Sequence, residues 1–209
     1  MAVRRGAASV WLRAAWCGAV RWAQNPVAGR EVVGDDRAMA DAGVRVGLLA
    51  DHPEFVEPLA TLRFREWGPE PGRERLSDYV TVTAGEAGRH RLPVTFVASG
   101  DQGLLGGVGL ADHDLAQRRD RGPWIVGTVV DPAFRRAGVG ALLLTHLERH
   151  AVRLGAARIY VATGGDAVTF YQACGWEVDE IVPIGPGEHA TVLSKVTLFT
   201  REWRSHDAG

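Results

Sequence analysis

Residues 124–140 read Trp124-Ile125-Val126-Gly127-Thr128-Val129-Val130-Asp131-Pro132-Ala133-Phe134-Arg135-Arg136-Ala137-Gly138-Val139-Gly140. The first seven are apolar on both faces, which predicts a strand buried in the middle of a sheet. Pro132 ends that strand. Beyond a short basic loop, Val139, Leu142, Leu143, Leu147 and Leu154 recur at helical spacing, with Glu148, Arg149 and Arg153 on the other side and Gly155 as a natural C-terminal cap. Where a strand runs directly into a helix, free backbone N–H groups and the positive end of the helix dipole meet at one spot. An anion binds readily there, a pyrophosphate above all. Gly138 and Gly140 have no side chains to hold a ligand off the backbone, and Arg135 and Arg136 add charge-assisted donors.

Other phosphate loops fit this stretch poorly. Ala141, Leu142 and Leu143 follow Gly138-Val139-Gly140, so the third glycine of a dinucleotide fingerprint is missing. A nucleoside-triphosphate loop needs Gly-Lys-Ser/Thr, and Lys195 is the only lysine. The run Gly106-Gly107-Val108-Gly109 reads as a strand or tight-turn constraint.

Working outward, Val44, Val46 and Leu48 alternate with their neighbours as a first strand. Asp51 is placed to cap a helix that carries Val56, Leu59, Arg63 and Trp67 and stops at Gly68-Pro69. Leu76, Tyr79, Val80 and Thr83 mark a second helix closed by Gly85. Val94–Ala98 and Leu104–Leu110 form a hairpin around 99–103, and the polar run Asp112–Pro123 is a loop. Downstream come a strand at Arg158–Thr163, a short helix at Ala167–Ala173, and strands at 176–182 and Thr191–Phe199 around a turn at Pro183–Glu188. The order β-α-α-β-β-β-α-β-α-β-β predicts an α/β domain with a mixed central sheet of about seven strands and helices on both faces.

The composition agrees. The 209 residues are 46% hydrophobic and 23% charged with a net charge of −1, which excludes a disordered chain. That balance also excludes a protein that holds nucleic acid by bulk positive charge. No stretch approaches the ~20 apolar residues of a membrane span. Cys17 and Cys174 are too few for a disulfide framework or a four-ligand zinc site, so no metal and a reducing, cytoplasmic setting are expected. Residues 1–38 carry six arginines against three acids, a net of +3 that leaves the remainder at −4. Trp11, Trp16 and Trp22 there fall roughly on one helical face. A transit-like leader, a membrane-associating helix and a start-codon extension with Met39 as the functional start all fit. The expected organisation is an extension over 1–43, a domain over 44–200 and a tail over 201–209.

Arg135-x-x-Gly138-x-Gly140 resembles the signature Arg/Gln-x-x-Gly-x-Gly/Ala of the GNAT superfamily of acyl-CoA-dependent N-acyltransferases. Asp166-Ala167-Val168-Thr169-Phe170-Tyr171-Gln172-Ala173-Cys174-Gly175-Trp176 is similar to that family's aromatic-Tyr-x-x-x-Gly-aromatic segment, and the element order agrees over about 44–200. The pieces LADHPEFVEPLATLRFREWG (49–68) and LADHDL (110–115) are similar to a subgroup that includes an animal actin N-terminal acetyltransferase and many small bacterial enzymes. The resemblance implies a single GNAT-like domain and acetyl-CoA as co-substrate. The backbones of Arg136, Ala137, Gly138, Val139 and Gly140 would hold the CoA pyrophosphate, with Arg135 beside them. Val129 and Val130 would pair with the pantetheine arm as with another strand. Asp166 stands where the family often has Asn or another polar residue near that arm, and Tyr171 would lie near the thioester sulfur.

The implied reaction moves an acetyl group to a primary amine by direct attack in a ternary complex, on a small-molecule or peptide acceptor. A homodimer is compatible with it. Tyr171 is the candidate general acid, against a plain packing role. Some relatives carry a Glu on the strand before the phosphate loop, but Trp124–Val130 has no carboxylate. His113, flanked by Asp112 and Asp114, is the substitute base, against a solvated loop histidine. His146, Glu148 and His150 read as a solvated helix face, and Cys174 as a buried thiol. Glu66, Trp67 and the loop to Arg75 would shape the acceptor pocket. The alternative is a CoA-binding regulatory module without turnover, which the missing strand Glu keeps open.

Overall fold

A computed structural model describes residues 36–41, 43–70 and 72–197. In chain order they form α1 (Asp36–Asp41), β1 (Arg45–Leu48), α2 (Val56–Trp67), α3 (Leu76–Gly85), β2 (Val94–Gly100), β3 (Gly103–Ala111), β4 (Trp124–Val130), α4 (Val139–Arg153), β5 (Arg158–Thr163), α5 (Asp166–Ala173), β6 (Glu177–Gly185) and β7 (Glu188–Val196). The seven strands lie in the order β1-β2-β3-β4-β5-β7-β6. Only β4 and β5 run parallel; the other neighbours are antiparallel. Among the described residues no helix is long and apolar enough to cross a membrane. The tryptophan-bearing stretch, the end of the last expected strand at Phe199 and the tail over 201–209 lie outside the described residues.

The doubly apolar stretch is the middle strand, as its composition requires. Ile125 and Val130 join a core under α4 and α5 with Phe96, Leu110, Leu143 and Leu147. Val129 faces the opposite way, into a cluster with Leu59 and Leu62 of α2 and Val97 of β2. Part of the segment expected outside the domain is ordered: in α1, Met39 packs against the larger core. Asp51 is not the cap of a long helix. The chain makes two 3-10 turns, Leu49–Asp51 and Pro53–Phe55, before α2 starts at Val56.

Glycines of β3 let its neighbours close in. A Cβ on Gly107 would meet Leu59 Cδ1 at 2.9 Å and the Phe96 carbonyl oxygen at 3.1 Å. A Cβ on Gly106 would meet the Val129 carbonyl oxygen at 2.5 Å. These strand glycines are therefore packing constraints: α2 and β4 lie closer than any side chain permits.

Leu59 is fully buried and cannot move aside. Gly107→Ala is expected to destabilise the chain by about 1–3 kcal/mol in urea unfolding. Gly85→Ala, at a helical site with open space around it, is expected to be neutral or stabilising by up to about 1 kcal/mol.

Candidate active site

The site begins with a fault in β4. The β3–β4 ladder slips between Gly107 and Gly109, so Gly127 and Thr128 together oppose Val108. Gly127 has φ +60°, the left-handed conformation that suits a bulge residue. It also has no room for a side chain, since a Cβ would meet Arg63 Nη2 at 2.7 Å. Arg63 reaches this point from α2, buried, with Nη1 donating to Thr83 Oγ1 at 3.1 Å and to Glu86 Oε2 at 2.8 Å on and beside α3. A bulged strand bends and twists more strongly. β4 pairs with β5 only at Trp124↔Tyr160 and Ile125↔Val161. Past those pairs the two strands diverge.

The divergence opens a cavity of about 290 Å³. Its walls include Val126 to Val130, Val161 to Thr163, Glu66 and Trp67 at the end of α2, and Phe170 and Tyr171 of α5. The loop residues Arg135, Arg136 and Gly138, with Gly140, line it too. There the backbone is left-handed twice, at Arg136 (φ +63°) and at Gly138 (φ +87°), the residue before α4. Alternating handedness of this kind turns successive N–H groups inward and forms an anion-binding hollow. Arg136 is the one non-glycine among the described residues with positive φ, and such an outlier marks a functional segment.

Val129, Val130, Arg135, Arg136, Gly138, Gly140 and Tyr171 therefore meet on one cavity. Ala137 is exposed on the loop, Val139 is turned into the core, and Asp166 is exposed at the start of α5. Arg135 faces inward rather than outward. Its Nε donates to the Val130 carbonyl at 3.0 Å and its Nη2 to Glu66 Oε2 at 2.6 Å. This ties the loop to α2, and the exposed Arg136 carries positive charge at the rim.

Tyr171 is buried, with its ring edge-on to Phe170 and Trp176 at 5.2 and 5.4 Å between centroids. Its hydroxyl lies 2.9 Å from Thr128 Oγ1 on the bulge. Burial pushes the phenol well above its usual range, partly offset by the Thr128 hydrogen bond. Glu148, expected on a solvated helix face, is instead part of the packing behind this ring. Its Oε1 accepts from Trp176 Nε1 at 3.0 Å, and Lys195 Nζ donates to Glu148 Oε2 at 2.9 Å and to the Cys174 carbonyl at 2.8 Å. His150 is buried as well. Burial raises the Cys174 thiol to about 11, which leaves it protonated.

His113 is exposed and is not part of the cavity wall. Its neighbour Asp114 is part of it: 3% exposed, with its carboxyl raised to about 7 by burial. Leu115 explains why. It is buried among Trp124, Ala162 and Val192 and draws the preceding residue inward. The polar character of 112–123 concealed this, and the lone apolar Leu115 was the available signal. Among the described residues no three His, Cys, Asp or Glu side chains converge on a metal position.

The model of the acetyltransferase (GNAT) family matches residues 54–176. No curated protein sequence matches the chain. Among solved structures, an aminoglycoside 6'-N-acetyltransferase complexed with coenzyme A superposes with a TM-score of 0.61 at 15% identity, covering 74% of this chain and 97% of that one. Ard1 from Thermoplasma volcanium gives 0.58 at 14% identity, with 75% and 99% covered. The yncA protein of Salmonella typhimurium with acetyl-CoA gives 0.56 at 17%, with 80% and 99% covered. These likenesses show the same fold.

The left-handed backbone at Arg136 carries a strain that glycine does not. Arg136→Gly is expected to leave stability equal or up to about 1 kcal/mol higher, and the β-branched Arg136→Val to lower it by about 1–2 kcal/mol, both by urea unfolding.

Proposed function

Because the chain belongs to the GNAT acetyltransferase family, we propose that it transfers an acetyl group from acetyl-CoA to a primary amine, small molecule or peptide, by direct attack with both substrates bound. The observation that carries this reading is the divergence of β4 from β5, with the anion-binding hollow and the Thr128–Tyr171 pair both lining the opening it leaves. The residues fit the co-substrate. The free edge of β4 at Val129 and Val130 is suited to take the pantetheine arm as an added strand. The backbone from Arg136 to Gly140 suits a pyrophosphate, and Arg136 and the α4 dipole complement its charge.

Bound acetyl-CoA supplies an activated acyl carbon: the amine nitrogen bonds to it as the C–S bond breaks and the thiol leaves. The chain holds the reacting groups together in a largely apolar opening, and orientation alone can remove ~7–11 kcal/mol of barrier. Tyr171, held neutral by burial, is the hydroxyl donor for the departing sulfur in this reading. Thr128 supports it by donating to the Tyr171 oxygen as that proton is given up. Backbone N–H groups of the bulged strand near Val130 serve the developing oxyanion.

Thiol release from acetyl-CoA, followed with spermidine, an aminoglycoside and a dipeptide with a free amino terminus, tests the reading. Saturable CoA binding with no thiol release would leave a binding module instead. Gly138→Glu places a bulky anion in the hollow and is expected to abolish CoA binding in calorimetry, with unchanged affinity counting against the site. Tyr171→Phe is expected to lower kcat by about 10²-fold or more while CoA affinity stays within about threefold of the parent; equal turnover would reduce Tyr171 to packing.

A further inference from the structure

Carboxylates near the cavity are nearly all engaged. Glu66 accepts from Arg135, and Glu148 from Trp176 and Lys195. In the segments flanking α3, Glu86 accepts from Arg63 and Glu70 from Arg73. Asp114 differs. It lines the cavity, is 3% exposed, and its Oδ1 is buried with no hydrogen-bond partner. A carboxylate that merely capped a turn would accept from neighbouring backbone N–H groups. A buried carboxyl oxygen without a partner is costly, and the side chain that carries it lies on the cavity wall, where a ligand's donor can reach the carboxyl group.

We infer that Asp114 is the base of the reaction, its carboxylate taking a proton from the ammonium group of the acceptor so that the neutral amine can attack. This rests on the acetyl-transfer reading above and adds to it the group that β4 lacks. The acceptor class follows: an amine that arrives protonated, since an ammonium offers both N–H donors and the charge opposite to the carboxylate's.

The protons balance. One leaves the ammonium nitrogen for the Asp114 carboxylate and passes on to solvent. The nitrogen lone pair then forms the C–N bond as the C–S bond breaks. A second N–H proton is lost from nitrogen as the departing sulfur gains one through the Tyr171 hydroxyl. The sum is one amide, one thiol and one released proton.

Several charged groups surround Asp114. Tyr171 of α5 is coupled to it electrostatically. Glu66 of α2 and Arg135 of the loop after β4 line the same cavity but are paired with each other. Asp112 and His113 on its own loop are exposed. Burial alone raises its carboxyl, to about 7. The group is then half-charged near neutrality, where a base is most effective.

Two measurements on the full chain decide the matter. In protein labelled with ¹³C at the aspartate carboxyl carbons, the resonance missing from Asp114→Asn is expected to titrate with a midpoint near pH 7. A midpoint near 4, the ordinary carboxylate range, would overturn the proposal whatever the acceptor. In thiol release with the same three amines, the parent's kcat/KM is expected to fall as pH drops through 7. Asp114→Asn is expected to lose at least about 10²-fold in kcat and to lose that limb of the profile, with partial recovery at alkaline pH and acetyl-CoA affinity within about threefold of the parent. A rise in KM with kcat unchanged would make Asp114 a counter-ion, and parental kcat would remove it from the chemistry; both sink the base and leave acetyl transfer standing. A parent that binds acetyl-CoA yet releases no thiol with any of the amines sinks the transfer reading, and the base with it. Stability guards against misfolding. A carboxyl raised in the folded state favours folding below its unfolded value and loses that contribution as pH rises through 7. Asp114→Asn is therefore expected to unfold at higher urea than the parent at pH 8, with the difference vanishing toward pH 4.

Discussion

The β4 bulge at Gly127 is the constraint from which the rest of the site follows. A regular strand would continue its ladder with β5, and the sheet would close with no room for a ligand. The two-against-one register bends β4 after Val126 and ends the pairing with β5 at Ile125. The fault is held from behind by the buried Arg63, whose guanidinium occupies the space a side chain at 127 would need. Its partners Thr83 and Glu86 belong to the next helical segment. Both helices preceding the sheet hairpin are thus tied to the irregularity that opens the cavity. An ion pair this buried contributes little net stability beside an apolar replacement. Its retention is explained by the shape it imposes on β4.

Tyr171 fills the opening from the other side. Its ring is fixed by Phe170 and Trp176, and Trp176 in turn by Glu148 and Lys195, the only lysine of the chain. That network holds a ring whose hydroxyl must meet Thr128 at hydrogen-bond distance across a gap between strands. A small rotation of the phenol would lose this contact, and reacting geometries are sensitive to shifts of about 1 Å. The polar residues on the outer side of α4 therefore act at the site through packing, without lining it.

The sequence made much of this legible. β4 and β5 have the bounds their apolar runs imply, and α4 begins at Val139, between the two glycines of the loop. Period and breakers suffice for such elements because a buried strand or an amphipathic helix uses every residue in its pattern. The candidate catalytic side chains follow no period. Asp112, His113 and Asp114 are equivalent in composition, and only the burial of Leu115 decides which of them turns inward. The same holds for Arg63. Its place in the apolar series Val56, Leu59, Arg63 and Trp67 marked a charge on a buried face, but the partner that made this tolerable, Glu86, lies 23 residues on. Glu148 likewise depends on Trp176 and Lys195, which the fold alone brings near.

Charges of both signs line the cavity, and Arg135 is paired with Glu66 among them. Were Arg135 unpaired, its charge would repel a cationic amine and favour ionisation of Asp114. Bonded to Glu66, it contributes little net field and serves as a strut between the loop and α2. Arg136 and the α4 dipole then make the hollow positive, where a pyrophosphate belongs. Asp114 on the same wall is negative when ionised. Its upward shift comes from burial, with no contribution from the positive groups of the hollow.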